Sequence, residues 1–139
     1  MRFFAALMLC VCTALPAFAE QKQSFGELDV HYSVFNSSFI QPEIAATVGL
    51  TRSKRLGVLN VATLYSGKPV ASRVEGEVKD LMGKRTQLTF TPIKEGDAVY
   101  YLAQFPIVSQ ELLQFSLTVQ GPTGPAHSVQ FKQEVFPDL

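Results

Sequence analysis

Apolar and polar residues alternate with a period of two along most of the chain after Glu27. This spacing sends successive side chains to opposite faces of a sheet, so it predicts strands. The runs that show it, each bounded by turn residues, are 28–34, 58–65, 70–79, 87–91, 98–105, 113–120 and 129–135. About seven short strands at turn spacings of roughly 8–12 residues predict an all-β fold, a two-sheet antiparallel sandwich of the immunoglobulin-like class.

One segment departs from the strand pattern. Residues 42–49 begin with Pro42, carry Glu43 in the first turn and end at Gly49. This combination starts and stops a helix, so the segment predicts the one short helix of the domain.

Within the run 70–79, Gly76 predicts a bulge, because glycine in a strand often marks one.

A hairpin is predicted around residues 94–97, where a glycine-containing turn joins the runs 87–91 and 98–105. Residues 97–102 also look like the immunoglobulin segment in which a corner tyrosine lies two residues before a core cysteine. Leu102 would take the place of that cysteine.

The first 19 residues have the features of a cleavable signal peptide. Arg2 is followed by an apolar run over 3–15, and Ala17 and Ala19 form a small-x-small cleavage site. The apolar run is shorter than the roughly 20 residues of a transmembrane helix. We therefore expect cleavage after Ala19, export to the periplasm, and a single β-sandwich domain over residues 20–139.

Cleavage would also change the chemistry available to the domain. Cys10 and Cys12, the two cysteines of the chain, would leave with the signal peptide. Without a thiol, a disulfide framework, a cysteine nucleophile and thiolate metal sites are excluded. Loss of Arg2 leaves 11 Lys and Arg against 12 Asp and Glu. This near-neutral balance offers no field for nucleic acid or anionic lipid, so we expect neither nucleic-acid binding nor stable membrane insertion after cleavage.

The residues after the signal peptide give few signs of catalysis or of a cofactor. His31, His127 and Met82 are too few soft ligands for a metal cluster. The serines lack a nucleophile-elbow context, and the glycines lack P-loop spacing. We expect no metal, no cofactor and no enzymatic activity.

The unusual part of the sequence is the block from His31 to Asn60, where irregular polar and aromatic segments interrupt the strands. Long irregular connections in a compact domain are often functional. The candidate binding surface in this block comprises His31, Tyr32, Phe35, Asn36, Phe39, Glu43, Arg52, Ser53, Lys54 and Asn60. Its aromatic residues would either hold the loop to the sandwich or form a platform for a partner. Its basic residues would either pair with Glu43 or form an anion-binding or docking patch.

A recurring set of residue types occupies fixed spacings in this block: His31-Tyr32, Phe35-Asn36-Ser37, Phe39, Pro42-Glu43, Ala45, Arg52-Ser53-Lys54 and Asn60. The set resembles the signature of an exported bacterial family, domain of unknown function 4426 (DUF4426), and the similarity extends over the whole mature chain. The resemblance implies a periplasmic protein of Gram-negative bacteria with a β-sandwich fold and no established activity. It supplies no catalytic residues, so the motif positions are carried over only as candidate functional surface.

Three functional hypotheses follow. The leading one is a non-enzymatic periplasmic binding module that uses the His31 to Asn60 block to hold a protein or a small anionic partner. The second is a hydrolase with His31 as base and Glu43 or Ser53 nearby, which requires side chains within about 3 Å. The third is a purely structural or accessory envelope protein, in which Arg52 and Glu43 tie the helix to the sheet.

Overall fold

The computed structural model describes residues 21–138 of the 139-residue chain. The predicted signal peptide and its cleavage site at Ala17 and Ala19 lie outside the described residues. The elements of the described part are β1 (Gln21–Phe25), β2 (Leu28–Asn36), a 3-10 turn (Ser37–Phe39), α1 (Pro42–Val48), β3 (Leu56–Tyr65), β4 (Lys68–Pro69), β5 (Arg73–Lys79), β6 (Arg85–Leu88), β7 (Thr91–Glu95), β8 (Ala98–Pro106), β9 (Glu111–Gln120) and β10 (His127–Val135).

The strands form two antiparallel sheets, and the predicted sandwich is confirmed. The first sheet has the order β1-β2-β3-β8-β7, with β4 paired to β3, and the second has the order β10-β9-β5-β6. In immunoglobulin domains one sheet is formed by strands A, B, E and D and the other by G, F and C. The sequence β2-β3-β8-β7 corresponds to the first set and β10-β9-β5 to the second, so the topology is immunoglobulin-like.

The core lies between the inner faces of the two sheets, and the period-two pattern explains its composition. On β2 the even positions point inward, with Val30 and Tyr32 buried. The ring of Tyr32 stacks on Phe131, with 4.2 Å between centroids, and Phe131 stacks on Phe115 at 4.8 Å. Phe105 meets Phe115 edge to face at 5.2 Å. These aromatic contacts join the first sheet to the second across the core.

Two of the predicted strands differ from the observed ones. The run 87–91 is not one strand. Its first part belongs to β6 in the second sheet, and its last residue begins β7 in the first sheet. The chain crosses between the sheets at residues 89–90, which alternation alone does not reveal. The hairpin of β7 with β8 is present, and it pairs Glu95 with Ala98. The run 70–79 is regular strand only from Arg73 onward.

Two finer predictions were wrong. Gly76 is not in a bulge, because the pairing of β5 with β9 runs without interruption from Arg73 opposite Gln120 to Lys79 opposite Gln114. It is instead a site of close packing, where an added Cβ would lie 2.5 Å from the Ser116 carbonyl oxygen. Residues 98–102 form the start of β8, which occupies the position of strand E, whereas the corner tyrosine and core cysteine of immunoglobulin domains lie on strand F, so Leu102 does not take the place of that cysteine.

The predicted helix is confirmed as α1, Pro42–Val48, and it is followed by Gly49 in the left-handed conformation at φ 78°. Ala45 of α1 is buried, and so is Val58 of β3, but neither belongs to the core between the sheets. Val58 is on the outer face of the first sheet. The segment 37–55 covers one half of this face, where the Gln104 side chain exchanges two hydrogen bonds with the backbone of Thr51.

Candidate functional site

The other half of the outer face of the first sheet carries a groove. Strand pairing sets His31 opposite Ala62, Ser33 opposite Asn60, and Ala62 opposite Tyr100, so these residues share one face. The groove has a volume of about 250 Å³. It is lined by His31, Tyr32, Ser33, Asn60, Ala62, Thr63, Leu64, Pro69, Ala98, Val99 and Tyr100. Its walls are therefore mostly apolar, and a few polar groups converge on them, as in many small-ligand sites.

Asn60 supplies the unusual chemistry of this groove. Its Oδ1 atom is buried and has no hydrogen-bond partner within residues 21–138. A buried acceptor without a donor is unfavourable by about 1–3 kcal/mol, and such groups are uncommon in native proteins. A residue that lines the groove thus has a buried acceptor that the described part of the chain leaves unused.

Among the residues that line the groove, none is a lysine, arginine, aspartate or glutamate. The imidazole of His31, the hydroxyl of Ser33 and the phenol of Tyr100 are the other polar side-chain groups on this face. A fully charged ligand would find no counter-charge in this lining, whereas burial of an unpaired charge is strongly unfavourable. The chemistry of the groove suits a neutral ligand with an N–H or O–H donor and an apolar body.

Most polar residues of the predicted surface lie elsewhere, in a cluster that we call the C-terminal clasp: Asn36, Ser37, Ser38, Arg52, Ser53, Lys54 and Asp138. Asn36 Nδ2 donates to the Phe136 carbonyl and to Asp138 Oδ1, both at 2.8 Å. Ser38 Oγ donates to the other carboxylate oxygen of Asp138, and the backbone N–H of Asp138 donates to the Lys54 carbonyl. The clasp holds the end of the chain against the start of the irregular segment.

The rest of the clasp joins residues 37–38 to residues 52–53. The fully buried Ser37 hydroxyl donates to the Ser53 carbonyl and accepts from the Ser53 N–H, each at 2.9 Å. Arg52 Nη2 donates to the Ser38 carbonyl at 3.1 Å. Within residues 21–138 no ion pair joins Arg52 to Glu43. Arg52 therefore ties the loop to the 3-10 turn and leaves the exposed Glu43 of α1 out of the network.

The clasp also changes the acidity of Asp138. Hydrogen bonds from the Ser38 hydroxyl and from the Asn36 amide hold the pKa of this carboxyl below its usual value of 3.8, and the positive charge of Lys54 acts in the same direction. Desolvation opposes the two hydrogen bonds and is weaker than either of them, although it is stronger than the effect of Lys54. The ionised form of Asp138 is thus the form that the clasp binds.

The remaining residues of the predicted surface do not form one patch. Tyr32 belongs to the core, where its hydroxyl accepts from Gln23 Nε2 at 3.1 Å. Phe35 is half-buried on the outer face beside Val58, its partner on β3. Phe39 is 63% exposed at the end of the 3-10 turn. The predicted surface thus divides into the groove, which holds His31 and Asn60, the clasp, and residues of the core or the loops.

His31 and Ser53, two residues of the hydrolase hypothesis, lie far apart in the structure. His31 and Asn36 are five strand residues apart, about 16 Å at ~3.3 Å per residue. Ser53 is hydrogen-bonded to Ser37, the residue after Asn36. His31 and Ser53 are therefore much farther apart than the roughly 3 Å that a base and a nucleophile require.

Within residues 21–138, no group of three or more His, Cys, Asp or Glu side chains lies close enough together to hold a metal ion. In the same range, no helix has the length and apolar character needed to cross a membrane.

Sequence reasoning missed Ser33 and Tyr100 in the groove and Asp138 in the clasp. Ser33 shares the parity of His31 on β2, so alternation contained a signal for it. Tyr100 reaches the groove only through the register of β8 on β3, which pairs it with Ala62. Asp138 follows the last strand, and nothing local in the sequence indicates its contact with Asn36.

Comparison with known proteins gives the family and the fold. The family model described as "Domain of unknown function (DUF4426)" matches residues 22–138. A crystal structure of a DUF4426 family protein from Pseudomonas aeruginosa PAO1 is 52% identical in sequence, with a TM-score of 0.81, over 86% of this chain and 97% of that chain. Among curated proteins, none matches the chain significantly.

Two structures of FetP from uropathogenic Escherichia coli strain F11 are more distant. One is the protein as isolated after expression in the E. coli periplasm, and the other is a copper-bound variant. Their TM-scores are both 0.64, at 10% and 12% identity, over 85% and 86% of this chain and 94% and 91% of those chains. At such low identity the likeness shows a shared fold. The match over residues 22–138, together with the 52% identical relative, establishes that the chain belongs to the DUF4426 family.

Proposed function

We propose that this protein is a non-enzymatic binding module of the periplasm and that its ligand occupies the groove on the outer face of the first sheet. The observation that carries the proposal is the buried Asn60 Oδ1, which lacks a donor within residues 21–138. A ligand N–H or O–H in the groove would satisfy this atom and remove the unfavourable free energy of its burial. Ligand binding would thereby explain why Asn60 Oδ1 is buried without a donor, which the stability of the fold does not explain.

The lining narrows the chemistry of the ligand. Leu64, Pro69 and Val99 supply apolar walls, while Asn60 and His31 supply polar groups. The volume of about 250 Å³ lies just below the usual range for drug-sized ligands. It suits a small neutral molecule, or one side chain of a partner segment, that presents a donor on an apolar body.

A small anionic ligand, the other partner considered from the sequence, fits this groove less well. The cations of the candidate surface, Arg52 and Lys54, are in the clasp beyond the end of β2. The carboxylate that lies in the clasp is that of Asp138, and it accepts a hydrogen bond from Asn36. Any anion recognition would therefore belong to a different surface from the groove.

Export to the periplasm is supported by the sequence and by the comparisons. The signal peptide predicted from Arg2, the apolar run 3–15 and Ala17 and Ala19 precedes the family match, which begins at residue 22. FetP, which shares the fold, was expressed in the E. coli periplasm. A binding module that carries no thiol after cleavage is also suited to an oxidising compartment, since it cannot form wrong disulfides.

A pair of matched probes tests the groove. N-methylisovaleramide and N,N-dimethylisovaleramide share an apolar body, but only the first has an N–H donor. Nuclear magnetic resonance titration should show saturable shifts of the amides of His31, Asn60 and Tyr100. The secondary amide should bind about threefold to tenfold more tightly, as expected for one additional hydrogen bond.

The Asn60→Leu variant is the control for this titration. It removes the acceptor while it keeps a side chain of similar size, so the two amides should bind it equally. The proposal fails if neither probe gives saturable shifts in the groove. It also fails if the wild-type protein does not distinguish the amide with the N–H from the amide without it.

A further inference from the structure

The Oδ1 atom of Asn60 is closed off from solvent as well as from the donors of the chain. It is buried, and it accepts no hydrogen bond within residues 21–138. A water molecule or a ligand N–H can therefore reach this atom only when a neighbouring group moves. A movable cover beside Asn60 would give the groove a closed state and an open state.

One neighbour of Asn60 on the outer face of the first sheet is covered by another part of the chain. Val58 precedes Asn60 by two residues on β3, so both side chains point to the same face, about 7 Å apart along the strand. Val58 is fully buried, although it lies outside the core between the sheets. Its cover is the segment 37–55. Asn60 is thus at the boundary between the open groove and the covered half of the face.

The two ends of the covering segment are held together. The Ser37 hydroxyl exchanges two hydrogen bonds of 2.9 Å with the backbone of Ser53, and Arg52 donates to the Ser38 carbonyl at 3.1 Å. We call residues 39–51, which lie between these contacts, the flap. Compact surface loops with closed ends have roughly 6–16 residues, so the flap has the length of such a loop. Its joined ends can act as a hinge.

The flap is packed lightly on the sheet. Within residues 39–51 only Ala45 is buried, and Ile44 beside it is 52% exposed. Two hydrogen bonds fasten the end of the flap to β8: the Thr51 N–H donates to Gln104 Oε1 at 3.0 Å, and Gln104 Nε2 donates to the Thr51 carbonyl at 2.7 Å. Segments with few buried apolar contacts open locally at a low free energy.

The flap can move without loss of its own structure. The Ala45 N–H donates to the Gln41 carbonyl, and the Leu50 N–H donates to the Ala45 carbonyl, both at 2.9 Å. These bonds lie inside the flap, so they persist when it lifts from the sheet. The bonds that lifting breaks include the pair to Gln104.

We propose that the flap opens as a unit about the Ser37–Ser53 hinge and that its opening uncovers Asn60 Oδ1 for a ligand. The part that concerns the ligand rests on the proposed function of the groove. An apolar body occupies the groove in either state, but its donor reaches Oδ1 only in the open state. The apparent affinity for a donor ligand is then reduced in proportion to the fraction of molecules that are open. Gln104 is a positioning residue that favours the closed state and touches no ligand.

Native-state hydrogen exchange of the exported wild-type chain tests the flap. After correction for intrinsic rates, the amides of Ala45 and Leu50 should exchange at least about tenfold faster than those of Val61 and Phe115, in the central strands β3 and β9. Low concentrations of urea should leave the flap rates nearly unchanged, because local opening exposes little surface. Flap amides that are as protected as the amides of the central strands would overturn the proposal.

Gln104→Ala and Gln87→Ala form a matched pair for the same measurement. Gln104→Ala removes two bonds that exist only in the closed state, so it should speed exchange of the flap amides about fivefold or more. Gln87→Ala removes the bond from Gln87 Nε2 to the Gly76 carbonyl, 3.1 Å long, which both states keep. It should leave flap exchange unchanged, and equal effects of the two variants would contradict the role of Gln104.

A single thiol tests whether the opening uncovers position 60. The exported chain is expected to lose Cys10 and Cys12, so Asn60→Cys gives it one thiol, and the wild type should not react. Labelling by 5,5′-dithiobis(2-nitrobenzoate) should accelerate with Gln104→Ala by about the factor found for flap exchange, and it should not accelerate with Gln87→Ala. Labelling that is the same in both backgrounds would show that the flap does not cover Asn60 and would overturn the proposal.

The amide probes connect the flap to the groove. Gln104→Ala should tighten binding of N-methylisovaleramide about threefold or more and leave binding of N,N-dimethylisovaleramide unchanged, because only the first has a donor for Oδ1. Unchanged affinity for the secondary amide would overturn the control of ligand access. If neither amide binds the wild type, the proposed function fails, whereas hydrogen exchange and thiol labelling, which use no ligand, still decide whether the flap opens over Asn60.

Discussion

Asn36 and Asn60 are both asparagines, but they differ in the hydrogen bonding of their side chains. Asn36 donates two hydrogen bonds, to the Phe136 carbonyl and to Asp138, and both donors of its amide nitrogen are thereby satisfied. Asn60 buries its Oδ1 beside the groove without a donor in the described part of the chain. A polar group that is buried and unsatisfied weakens the folded state, so Asn60 is better explained by what it binds than by what it stabilises.

Exchanging each asparagine for leucine separates these roles. Asn60→Leu should raise the free energy of unfolding by about 1 kcal/mol, because it removes the unsatisfied acceptor. Asn36→Leu should lower it by about 2 kcal/mol, because it removes two bonds, one of them to a carboxylate. Urea denaturation measures both changes in unfolding free energy, and the m-value, its dependence on urea concentration, should stay unchanged. A destabilisation by Asn60→Leu that matches that of Asn36→Leu would show that Asn60 is structural.

At the scale of the elements, the C-terminal clasp joins three segments that are distant in sequence. The residues after β10 meet the end of β2 through Asn36 and Ser38, and they meet the loop before β3 through the Lys54 carbonyl. Ser37 and Ser53 extend this network. The structural alternative considered from the sequence therefore applies to these residues, although with Ser38 and not Glu43 as the partner of Arg52.

The clasp predicts a dependence of stability on pH. The folded-state pKa of Asp138 is lowered from 3.8, so its contribution is present above the unfolded-state pKa and is lost as pH falls through the lower folded-state value. The difference in Tm between wild type and Asp138→Asn should therefore be constant above about pH 5 and shrink below about pH 4. Asp97→Asn, in the β7–β8 turn, is the control. A Tm difference that does not change with pH would contradict the role of the carboxylate.

The elements also show which parts of the fold local sequence can predict. The helix was predicted because Pro42 and Gly49 influence only the local backbone, where they start and end the helix. The strand β1 was not predicted, because Gln21–Phe25 is a polar edge strand without an alternating pattern. The crossing from β6 to β7 was missed for another reason: residues 87–91 alternate in the same way whichever sheet they join.

At the scale of the whole molecule, exposed apolar side chains are unevenly distributed although the composition is ordinary. The near-neutral net charge gave no reason to expect attraction to anionic lipid. The topology brings four cations, Arg52, Lys54, Arg55 and Lys84, to the end that also exposes Met82, together with four carboxylates, those of Glu43, Asp80, Glu111 and Asp138. Sequence reasoning missed this arrangement because it depends on strand register across both sheets. For the same reason it grouped His31 with Ser53, which the fold separates.

The central claim is that an exported domain retains a ligand in the groove beside Asn60. Native mass spectrometry of the full-length gene product, isolated gently from the periplasm, tests it most directly. We predict a chain that starts at Glu20 and carries a bound small molecule, which the surface variant Lys94→Glu retains to the wild-type extent and Asn60→Leu retains to a clearly smaller extent. A chain without bound mass, or one whose bound mass is the same in Asn60→Leu, would contradict the account.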